Sequence, residues 1–405
     1  MRSSSIINKK KFLYSNGVYI YDNKKKKYLD FSLSNGALVL GHSNRVYKNC
    51  IKKIINKGSA FSINNYAKTN YEKLIKKKFK NINKVIFSNS GSEANIRALR
   101  IARAITKKNK IAIVNGSWHG SVDNFLFDYN NKKEIKELSS GIDSNIKKDL
   151  VILPYNDSKK SQVILKSNKN KIAMIMLEPI TSSLPLNESE KYVKDLFFYA
   201  KKNKILICFD EIITGLRVDG LSVFKKLNLK PDIITFGKCF GGGLPIGLTC
   251  LSKEIVKKLD LLNKPIFFGG TFSGNFLTCS LGIETFNFIT KNNKKFSNKL
   301  LFLKNLFTNE INSFSQQLGL SFKFVGYESF VRPIFTNEKI HNVLERNYYD
   351  KNSLKTYKYI NYLLSHNIHV AGRGNIYFSF EHKISDISKL IVVTKKFLIK
   401  FKNQL

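Results

Sequence analysis

The most reactive candidate side chain in the sequence is a lysine that ends a run of apolar residues. Lys238 follows Ile233-Ile234-Thr235-Phe236-Gly237 and precedes a segment with three consecutive glycines at 241–243. Lysine is rarely buried without a partner, and an amine in a partly dehydrated site has a depressed pKa and can form a Schiff base with a carbonyl compound. The alternative is an exposed lysine just past the strand, with its stem lying on apolar surface.

Two other motifs occur where the chain leaves a predicted strand. Ser88-Asn89-Ser90-Gly91-Ser92-Glu93-Ala94 follows one apolar run and opens a helical pattern. A helix N-terminus presents unpaired N–H groups and the positive end of the helix dipole, which favours a phosphate, although an ordinary N-cap explains the same residues. Asp210-Glu211 stands at the carboxyl end of another run, where ligands of open α/β sheets bind.

These three features together meet the requirements of one cofactor. Pyridoxal phosphate needs a phosphate site, a carboxylate that keeps its ring nitrogen protonated, and a lysine that holds its aldehyde. The sequence offers all three at the ends of apolar runs. It therefore predicts a pyridoxal-phosphate site at one edge of a sheet.

The elements that position these residues alternate between strands and helices from about residue 84 to residue 252. Short, mostly β-branched or aromatic runs indicate buried strands at 85–87, 111–114, 172–177, 205–209 and 233–236. Helical spacing of apolar residues occurs over 93–105 and, less clearly, over 191–203. This alternation predicts an α/β fold with a mostly parallel central sheet that is covered on both faces.

The two chain ends are expected to build a smaller domain around this core. Residues 17–31 alternate apolar and polar side chains around a turn at 22–24, which predicts a hairpin. Residues 286–405 mix helical stretches with strand-like runs at 322–325 and 376–380. We therefore predict an N-terminal segment, 1–46, that packs with the small domain, a large α/β domain, 47–285, and a C-terminal small α+β domain, 286–405.

Seven motifs in a fixed order show a resemblance to a known family. They are Gly17-Val18-Tyr19-Ile20-Tyr21-Asp22, Asn89-Ser90-Gly91-Ser92-Glu93-Ala94, Trp118-His119-Gly120, Glu178-Pro179, Asp210-Glu211-Ile212-Ile213-Thr214-Gly215-Leu216-Arg217, Pro231-Asp232-Ile233-Ile234-Thr235-Phe236-Gly237-Lys238 and Gly270-Thr271-Phe272-Ser273-Gly274-Asn275. Through them the sequence resembles the class III, fold-type I aminotransferases that use pyridoxal phosphate, and especially their glutamate-1-semialdehyde 2,1-aminomutase branch. The similarity extends from about residue 17 to about residue 386.

The resemblance implies a role for each residue that matches the family's motifs. Lys238 would form the Schiff base and carry a proton between substrate and cofactor carbons, and Asp210 would pair with the ring nitrogen. Gly91 and Ser92 would donate to the phosphate, and Thr271 would reach the phosphate of the cofactor in the neighbouring subunit. The resemblance thus implies a homodimer with shared active sites.

For the remaining residues the resemblance leaves alternatives open. Trp118 would stack on one face of the cofactor ring and Ile212 on the other, whereas a core aromatic is the alternative for Trp118. Glu178 and His119 would support the site, or are satisfied polar residues near the core. Arg217 is either a structural ion-pair partner or a contact to a substrate carboxylate.

Several departures from the aminomutase pattern bear on the substrate. That branch usually has Tyr in place of Trp118, Asn near Ser183 and Pro in place of Phe276. Its carboxylate near the active-site entrance aligns with Gly374 or its neighbours, so Arg373 becomes a candidate carboxylate ligand by proximity. We therefore expect amino transfer between a donor and an aldehyde or keto acceptor. Aminomutase activity is the alternative, and a decarboxylase or racemase is a more remote one, because a fold and cofactor do not fix the reaction.

The charge of the chain is the basis for an alternative function without catalysis. With 69 Lys plus Arg against 29 Asp plus Glu, the net charge is +40, and 60 of the basic residues are lysines spread along the whole length. A basic nucleic-acid-binding protein without catalysis is therefore the non-enzyme alternative. Such a protein would concentrate its cations and use arginine to read phosphate and bases, so a nucleic-acid partner is not expected.

Composition also bears on the cellular compartment. The five cysteines are widely spaced and form no CxxC pair, which suits reduced thiols and offers no structural metal site. The N-terminal residues contain no apolar core of signal-peptide length. The uncharged stretch 265–283 is rich in Gly, Ser, Thr and Asn, which predicts a loop-rich segment and no membrane span. We expect a cytoplasmic protein.

Overall fold

The computed structural model describes residues 10–61, 63–130 and 134–404, and sixteen strands lie in this part of the chain. Numbered along the sequence, they are β1 (Phe12–Asn16), β2 (Tyr19–Asp22), β3 (Lys27–Asp30), β4 (Lys84–Ser88), β5 (Lys110–Val114), β6 (Phe127–Tyr129), β7 (Ile135–Glu137), β8 (Leu150–Leu153), β9 (Ile172–Leu177), β10 (Leu206–Asp210), β11 (Ile233–Gly237), β12 (Gly247–Leu251), β13 (Lys323–Tyr327), β14 (Phe330–Ile334), β15 (Ile368–His369) and β16 (Ile376–Tyr377).

The helices surround and connect these strands. They are α1 (Leu33–Gly36), α2 (Arg45–Ile54), α3 (Tyr66–Lys78), α4 (Gly91–Thr106), α5 (Ser158–Ser167), α6 (Ser189–Lys202), α7 (Val223–Lys226), α8 (Lys253–Asp260), α9 (Phe276–Lys291), α10 (Asn293–Gln317), α11 (Val343–Tyr349), α12 (Leu354–Ser365) and α13 (Ile384–Lys400). Short 3₁₀ turns lie at Ile55–Lys57, Asp123–Phe125, Ser144–Asp149, Lys238–Gly241 and Lys402–Gln404.

The core is a seven-stranded sheet in the order β4-β12-β11-β10-β9-β5-β8. The pairs among β11, β10, β9, β5 and β8 are parallel, and β12 runs antiparallel to both of its neighbours. Every residue of β9, β10 and β11 is buried, which explains their continuous apolar runs, because helices cover both faces of the sheet. The predicted α/β class and mostly parallel sheet are confirmed.

The N-terminal hairpin is confirmed as the antiparallel pair β2–β3, and β1 extends it. Its last strand, β3, pairs in parallel with β15 from the C-terminal part of the chain. A further sheet, β13-β14-β16, also comes from that part. The predicted domain boundary at residue 285 falls inside α9, so the division into domains stays a prediction.

The segment 265–283 differs in part from the loop-rich prediction. Residues 265–275 are turns and coil, whereas the rest of the segment belongs to α9. Asn275 caps this helix by accepting a hydrogen bond from the Thr278 N–H at 2.8 Å, a local signal that the composition of the segment obscured. In the described ranges, no helix is long and apolar enough to cross a membrane.

The topology brings the chemically important residues to one edge of the sheet. β4, β10 and β11 are mutually parallel, because β4 and β11 both run opposite to β12. Their carboxyl ends therefore lie at the same edge, and they lead into α4, Asp210 and Lys238 respectively. This edge is where open α/β sheets bind their ligands.

Candidate active site

A cavity of about 350 Å³ opens at this edge of the sheet. Its wall is made of residues from the ends of β4, β10 and β11 and from the loops beside them. They are Ala37, Asn89, Ser90, Gly91, Ser92, Trp118, Gly120, Glu178, Asp210, Ile212, Ile213, Lys238, Gly243, Leu244, Pro245 and Ile246. The cavity therefore brings together most of the residues that the sequence analysis selected.

Lys238 stands immediately after β11, at a strained backbone position with φ of +44°. Non-glycine residues adopt such a conformation rarely and mostly where the surrounding structure imposes it. Burial lowers the pKa of the Lys238 amine, although the charges of Asp210 and Glu178 oppose this shift. In the part of the chain that the structure describes, no side chain forms a hydrogen bond or ion pair with the Lys238 amine. The site thus holds a partly dehydrated nucleophilic amine.

Asp210 is the buried carboxylate of the cavity and accepts several hydrogen bonds. His119 Nδ1 and Asn95 Nδ2 both lie 2.8 Å from Asp210 Oδ2, and the Ile212 N–H donates to Oδ1 at 3.1 Å. Asn95 is itself oriented by the Thr235 hydroxyl, which donates to its Oδ1 at 2.7 Å. The carboxylate is therefore fixed in position by groups from three separate segments.

Asn95 is a site residue that the sequence analysis missed. It lies four residues after Gly91 in α4, so the two share one face of the helix. Its amide joins Asp210 to the His119 carbonyl, which accepts from Asn95 Nδ2 at 2.9 Å. A polar residue on the buried face of this helix was the signal available in the sequence.

The N-terminus of α4 forms a compact cradle. Ser90 caps the helix, since its Oγ accepts from the Glu93 N–H at 3.2 Å. A Cβ added at Gly91 would lie 2.5 Å from Ile212 Cδ1, and one added at Gly120 would lie 2.2 Å from Ser92 Oγ. A larger residue at either position would therefore displace a neighbouring side chain. Gly91 and Ser92 lie in the first turn of α4, where the N–H groups have no partner within the helix.

Trp118 and Glu178 form another part of the cavity wall. The Trp118 N–H donates to Glu178 Oε2 at 3.2 Å, and the Ser182 N–H donates to Glu178 Oε1 at 3.1 Å. The Arg373 guanidinium lies over the Trp118 ring, 4.6 Å from its centroid. Trp118 therefore lines the cavity and is not a core aromatic. Burial and the nearby charge of Asp210 raise the pKa of Glu178.

Arg217 lies outside the cavity wall and is almost fully buried, at 1% exposure. Its Nε and Nη2 donate to the Gly36 carbonyl at 3.1 and 2.8 Å, and its Nη1 donates to Ser329 Oγ and to the Phe378 carbonyl. These bonds engage all three guanidinium nitrogens. The geometry favours a structural role for Arg217 over a substrate contact, although its partners are neutral acceptors and not the ion pair that we considered.

Thr271 is exposed and also lies outside the cavity wall of its own chain. The turn that contains it is held against α4 by Arg97, whose Nη2 donates to the Gly269 carbonyl at 2.8 Å. Neither Thr271 nor Arg373 is part of the cavity wall. Their predicted contacts to cofactor and substrate remain predictions.

The residues present fit pyridoxal phosphate. The amine of Lys238 is partly dehydrated and has no partner among the described residues, and Asp210 offers a fixed carboxylate. The first turn of α4 offers unpaired N–H groups beside glycines at which an added Cβ would displace a neighbouring side chain. His119 Nε2 is buried and without a hydrogen-bond partner among the described residues. These features supply the three functions that the cofactor requires.

Comparisons with known proteins agree with this geometry. The family model of aminotransferase class-III matches residues 7–321. Glutamate-1-semialdehyde 2,1-aminomutase of Archaeoglobus fulgidus is 36% identical over 280 residues, which are 68% of this chain and 66% of that protein. The enzyme of the same name from Nitrosopumilus maritimus is 30% identical over 93% of this chain and 89% of its own length. An omega-transaminase from Sphaerobacter thermophilus has the same fold, with a TM-score of 0.88, 20% identity, and coverage of 96% of this chain and 90% of its own.

The protein is a fold-type I transferase that uses pyridoxal phosphate. The chain belongs to the class-III aminotransferases. It is an enzyme of the transaminase and aminomutase group, and the non-enzyme alternative is not needed to explain any feature of the site.

Proposed function

We propose that this enzyme transfers an amino group between two different substrates. The observation that carries the proposal is Arg373, whose guanidinium lies over the cavity residue Trp118. The aminomutase branch is expected to carry a carboxylate near this position, and a cation there suits a substrate carboxylate. The intramolecular reaction of the aminomutases, whose names the relatives carry, is the second candidate.

Lys238 and Asp210, with the two residues that position Asp210, have defined parts in this reaction. Bound pyridoxal phosphate supplies an electron sink that allows a proton to leave the substrate carbon. Lys238 would hold the cofactor through its amine, and the same amine, when free, would accept that proton and return it at another carbon. Its lowered pKa keeps the amine available as a base. Asp210 would place a carboxylate against the ring nitrogen, and His119 and Asn95 keep that carboxylate in position.

We also propose that the active site is completed by a second copy of the chain. Support comes from the exposed segment around Thr271, where Phe267 and Phe272 are 79% and 60% exposed, because large apolar side chains exposed near one another mark interaction surfaces. Analytical ultracentrifugation should give a dimer. Thr271→Val should lower the affinity for the cofactor without changing the mass of the assembly.

A cytoplasmic location is proposed on the chemistry of the cysteines. All five are buried free thiols. Burial raises the pKa of the Cys50 thiol to about 11 and that of Cys279 to about 12, so neither is a reactive thiolate at neutral pH. Free thiols of this kind suit a reducing compartment.

A two-stage experiment tests transfer between two substrates. The purified holoenzyme is treated with an ¹⁵N-labelled amino acid until its visible absorption band bleaches, and is then separated from the donor by gel filtration. Addition of a keto acid or aldehyde alone should restore the band and yield ¹⁵N-labelled product. Conversion of glutamate 1-semialdehyde to its amino-shifted isomer, with no transfer from any separate donor, would contradict the proposal and favour the aminomutase reaction.

A further inference from the structure

The exposed turn that carries Thr271 rests on a buried arginine of α4. In residues 270–273 the N–H of the last residue donates to the carbonyl of the first at 3.0 Å, which closes a turn. The two central residues, Thr271 and Phe272, are exposed. Arg97, which contacts this segment from α4, is only 4% exposed. We call residues 270–273 the Thr271 turn.

The Arg97 guanidinium joins the Thr271 turn to two other segments. Its Nη2 donates to the Gly269 carbonyl at 2.8 Å and to Ser273 Oγ at 3.3 Å, so it holds the turn at its beginning and at its end. Its Nη1 donates to the Phe87 carbonyl, near the end of β4. Glu93 Oε2, in the first turn of α4, lies 3.6 Å from Nη2. One side chain therefore connects the turn, the strand and the helix.

The strand and the helix that Arg97 contacts also build the cradle at the cavity. Glu93 accepts from the Asn89 N–H at 3.0 Å, and both Asn89 and Gly91 line the cavity. Gly91 is the first residue of α4, and Arg97 lies in the middle of the same helix. The Thr271 turn therefore has a fixed place relative to the cradle of its own chain.

The chemistry of a buried guanidinium favours a positioning role for Arg97. Burial lowers the pKa of Arg97, although the charge of Glu93 opposes this shift. A buried charge is weak evidence for stability, because the cost of its desolvation offsets the bonds that it makes. A guanidinium does provide fixed geometry, since its planar fork of donors orients two acceptors at once, whereas lysine offers a single mobile amine.

The main chain is also held on both sides of the Thr271 turn. Arg100 Nη1 donates to the Phe267 carbonyl at 2.7 Å, and Asn65 Nδ2 donates to the Gly274 carbonyl at 2.8 Å. The anchors thus lie before, within and after the turn, while the side chain of Thr271 stays exposed. Such an arrangement suits a residue that must reach a fixed point outside its own chain.

We propose that Arg97 is a positioning residue for the neighbouring active site. It holds the Thr271 turn so that Thr271 reaches the cofactor phosphate bound in the second copy of the chain. The inference rests on the proposed function, and in particular on the active site completed by that second copy. It adds that cofactor binding in one subunit depends on a buried arginine of the other, which itself does not touch the cofactor.

Hydrogen exchange of the full-length protein without added cofactor tests whether Arg97 orders the turn. In Arg97→Met the Gly269 carbonyl and the Ser273 hydroxyl lose their donor, so the turn should open more often. Amides of residues 270–275 should then exchange at least about tenfold faster. Amides of β11, which Arg97 does not contact, should exchange at the unsubstituted rate.

Two further variants control this measurement. Arg103→Met removes the same charge from the same helix, but Arg103 pairs with Asp149 and does not contact the Thr271 turn. It should leave the exchange of the turn unchanged. Arg97→Lys keeps the charge and loses the fork of donors, so its exchange rate should lie between the other two. This variant also serves if Arg97→Met does not fold.

Hybrid dimers show in which subunit Arg97 acts, which a merely structural role would not predict. One tagged chain carries Lys238→Ala, so that only the other chain gives the visible band of the covalently held cofactor. Arg97→Met placed in the Lys238→Ala chain should weaken cofactor binding by the other chain about tenfold, the loss of roughly one hydrogen bond to a charged group. Thr271→Val in that place should give the same loss, and both substitutions together should give no more than either alone.

The hybrids separate failure of this inference from failure of the proposed function. If Arg97→Met weakens binding only in the chain that keeps Lys238, or if its effect adds to that of Thr271→Val, Arg97 does not act through the turn and the inference is wrong. A monomeric protein, or no effect of Thr271→Val in the Lys238→Ala chain, would reject the shared active site together with the inference. A missing band in the unsubstituted protein would reject the proposed function itself.

Discussion

The two sides of the cavity differ in how completely the protein pairs their polar groups. On the side of the sheet, the Asp210 carboxylate accepts three hydrogen bonds from the protein. On the side of the loop 181–183, Arg332 and Arg346 each have a buried Nε without a hydrogen-bond partner in the part of the chain that the structure describes. The fold therefore pairs the Asp210 carboxylate, which must stay in place through a reaction, more completely than these two guanidiniums.

Removal of the negative charge of Asp210 should have the largest effect on activity. Asp210→Asn preserves the size of the side chain but removes the negative charge beside the ring nitrogen. We expect the rate of amino transfer to fall by about 10³-fold, in line with the loss of a preorganised electrostatic contact. Steady-state kinetics on the folded variant measure this.

The matched control is Asp232→Asn, which changes another buried aspartate of the same sheet. Asp232 pairs with Lys201 and accepts from the Ile207 N–H at 2.9 Å, outside the cavity. This variant should lose stability but retain activity per folded molecule. Equal losses of activity in the two variants would show that any buried aspartate of the sheet matters as much as Asp210.

Arg217 and Arg373 offer the next comparison, between a fully engaged arginine and an open one. Arg217→Met removes two hydrogen bonds to the Gly36 carbonyl and the Arg217 donor to the buried Phe378 carbonyl. We expect the free energy of unfolding to fall by about 3 kcal/mol. Chemical denaturation measures this loss. The KM for an anionic donor should be unchanged in this variant and raised in Arg373→Gln. A raised KM in stable Arg217→Met would instead place Arg217 in substrate binding.

The glycine cradle predicts a smaller effect on cofactor affinity. The methyl group of Gly91→Ala would lie 2.5 Å from Ile212 Cδ1, so the turn that faces the phosphate must shift. Equilibrium dialysis should show cofactor affinity about tenfold weaker, the loss of roughly one good hydrogen bond to a charged group.

A second substitution sharpens this test. Ile212→Val removes the Cδ1 atom that the new methyl group meets, and should restore part of the affinity when combined with Gly91→Ala. Ile212→Val alone is the control. If the double variant binds no better than Gly91→Ala, the clash with Ile212 is not the cause of the weakened binding.

Much of the sheet could be predicted because its strands are apolar along their whole length. The runs at 172–177 and 233–236 became β9 and β11, which are buried on both faces. β12 was missed, since Gly247-Leu248-Thr249-Cys250-Leu251 contains few β-branched residues, and it is buried by its position between β4 and β11. The order of strands is a matter of tertiary packing that no local pattern encodes.

The residues of the site also divide into those that the sequence could place and those that it could not. Lys238 and Asp210 follow directly after apolar strands, so their common edge could be inferred from the chain alone. The positions of Arg332, Arg346 and Arg373 beside the cavity could not be inferred in this way, because they come from a strand, a helix and a loop that are distant in sequence. Only the packing of these elements against the loop 181–183 brings their charges together.

The central claim is that Lys238 holds the cofactor, and covalent trapping tests it most directly. The full-length protein is incubated with pyridoxal phosphate, reduced with borohydride and digested, and the labelled peptide is identified by mass spectrometry. We predict a visible absorption band before reduction and a single label on Lys238, one of 60 lysines, with neither in Lys238→Ala. A label on another lysine, or no band after incubation with the cofactor, would contradict the account.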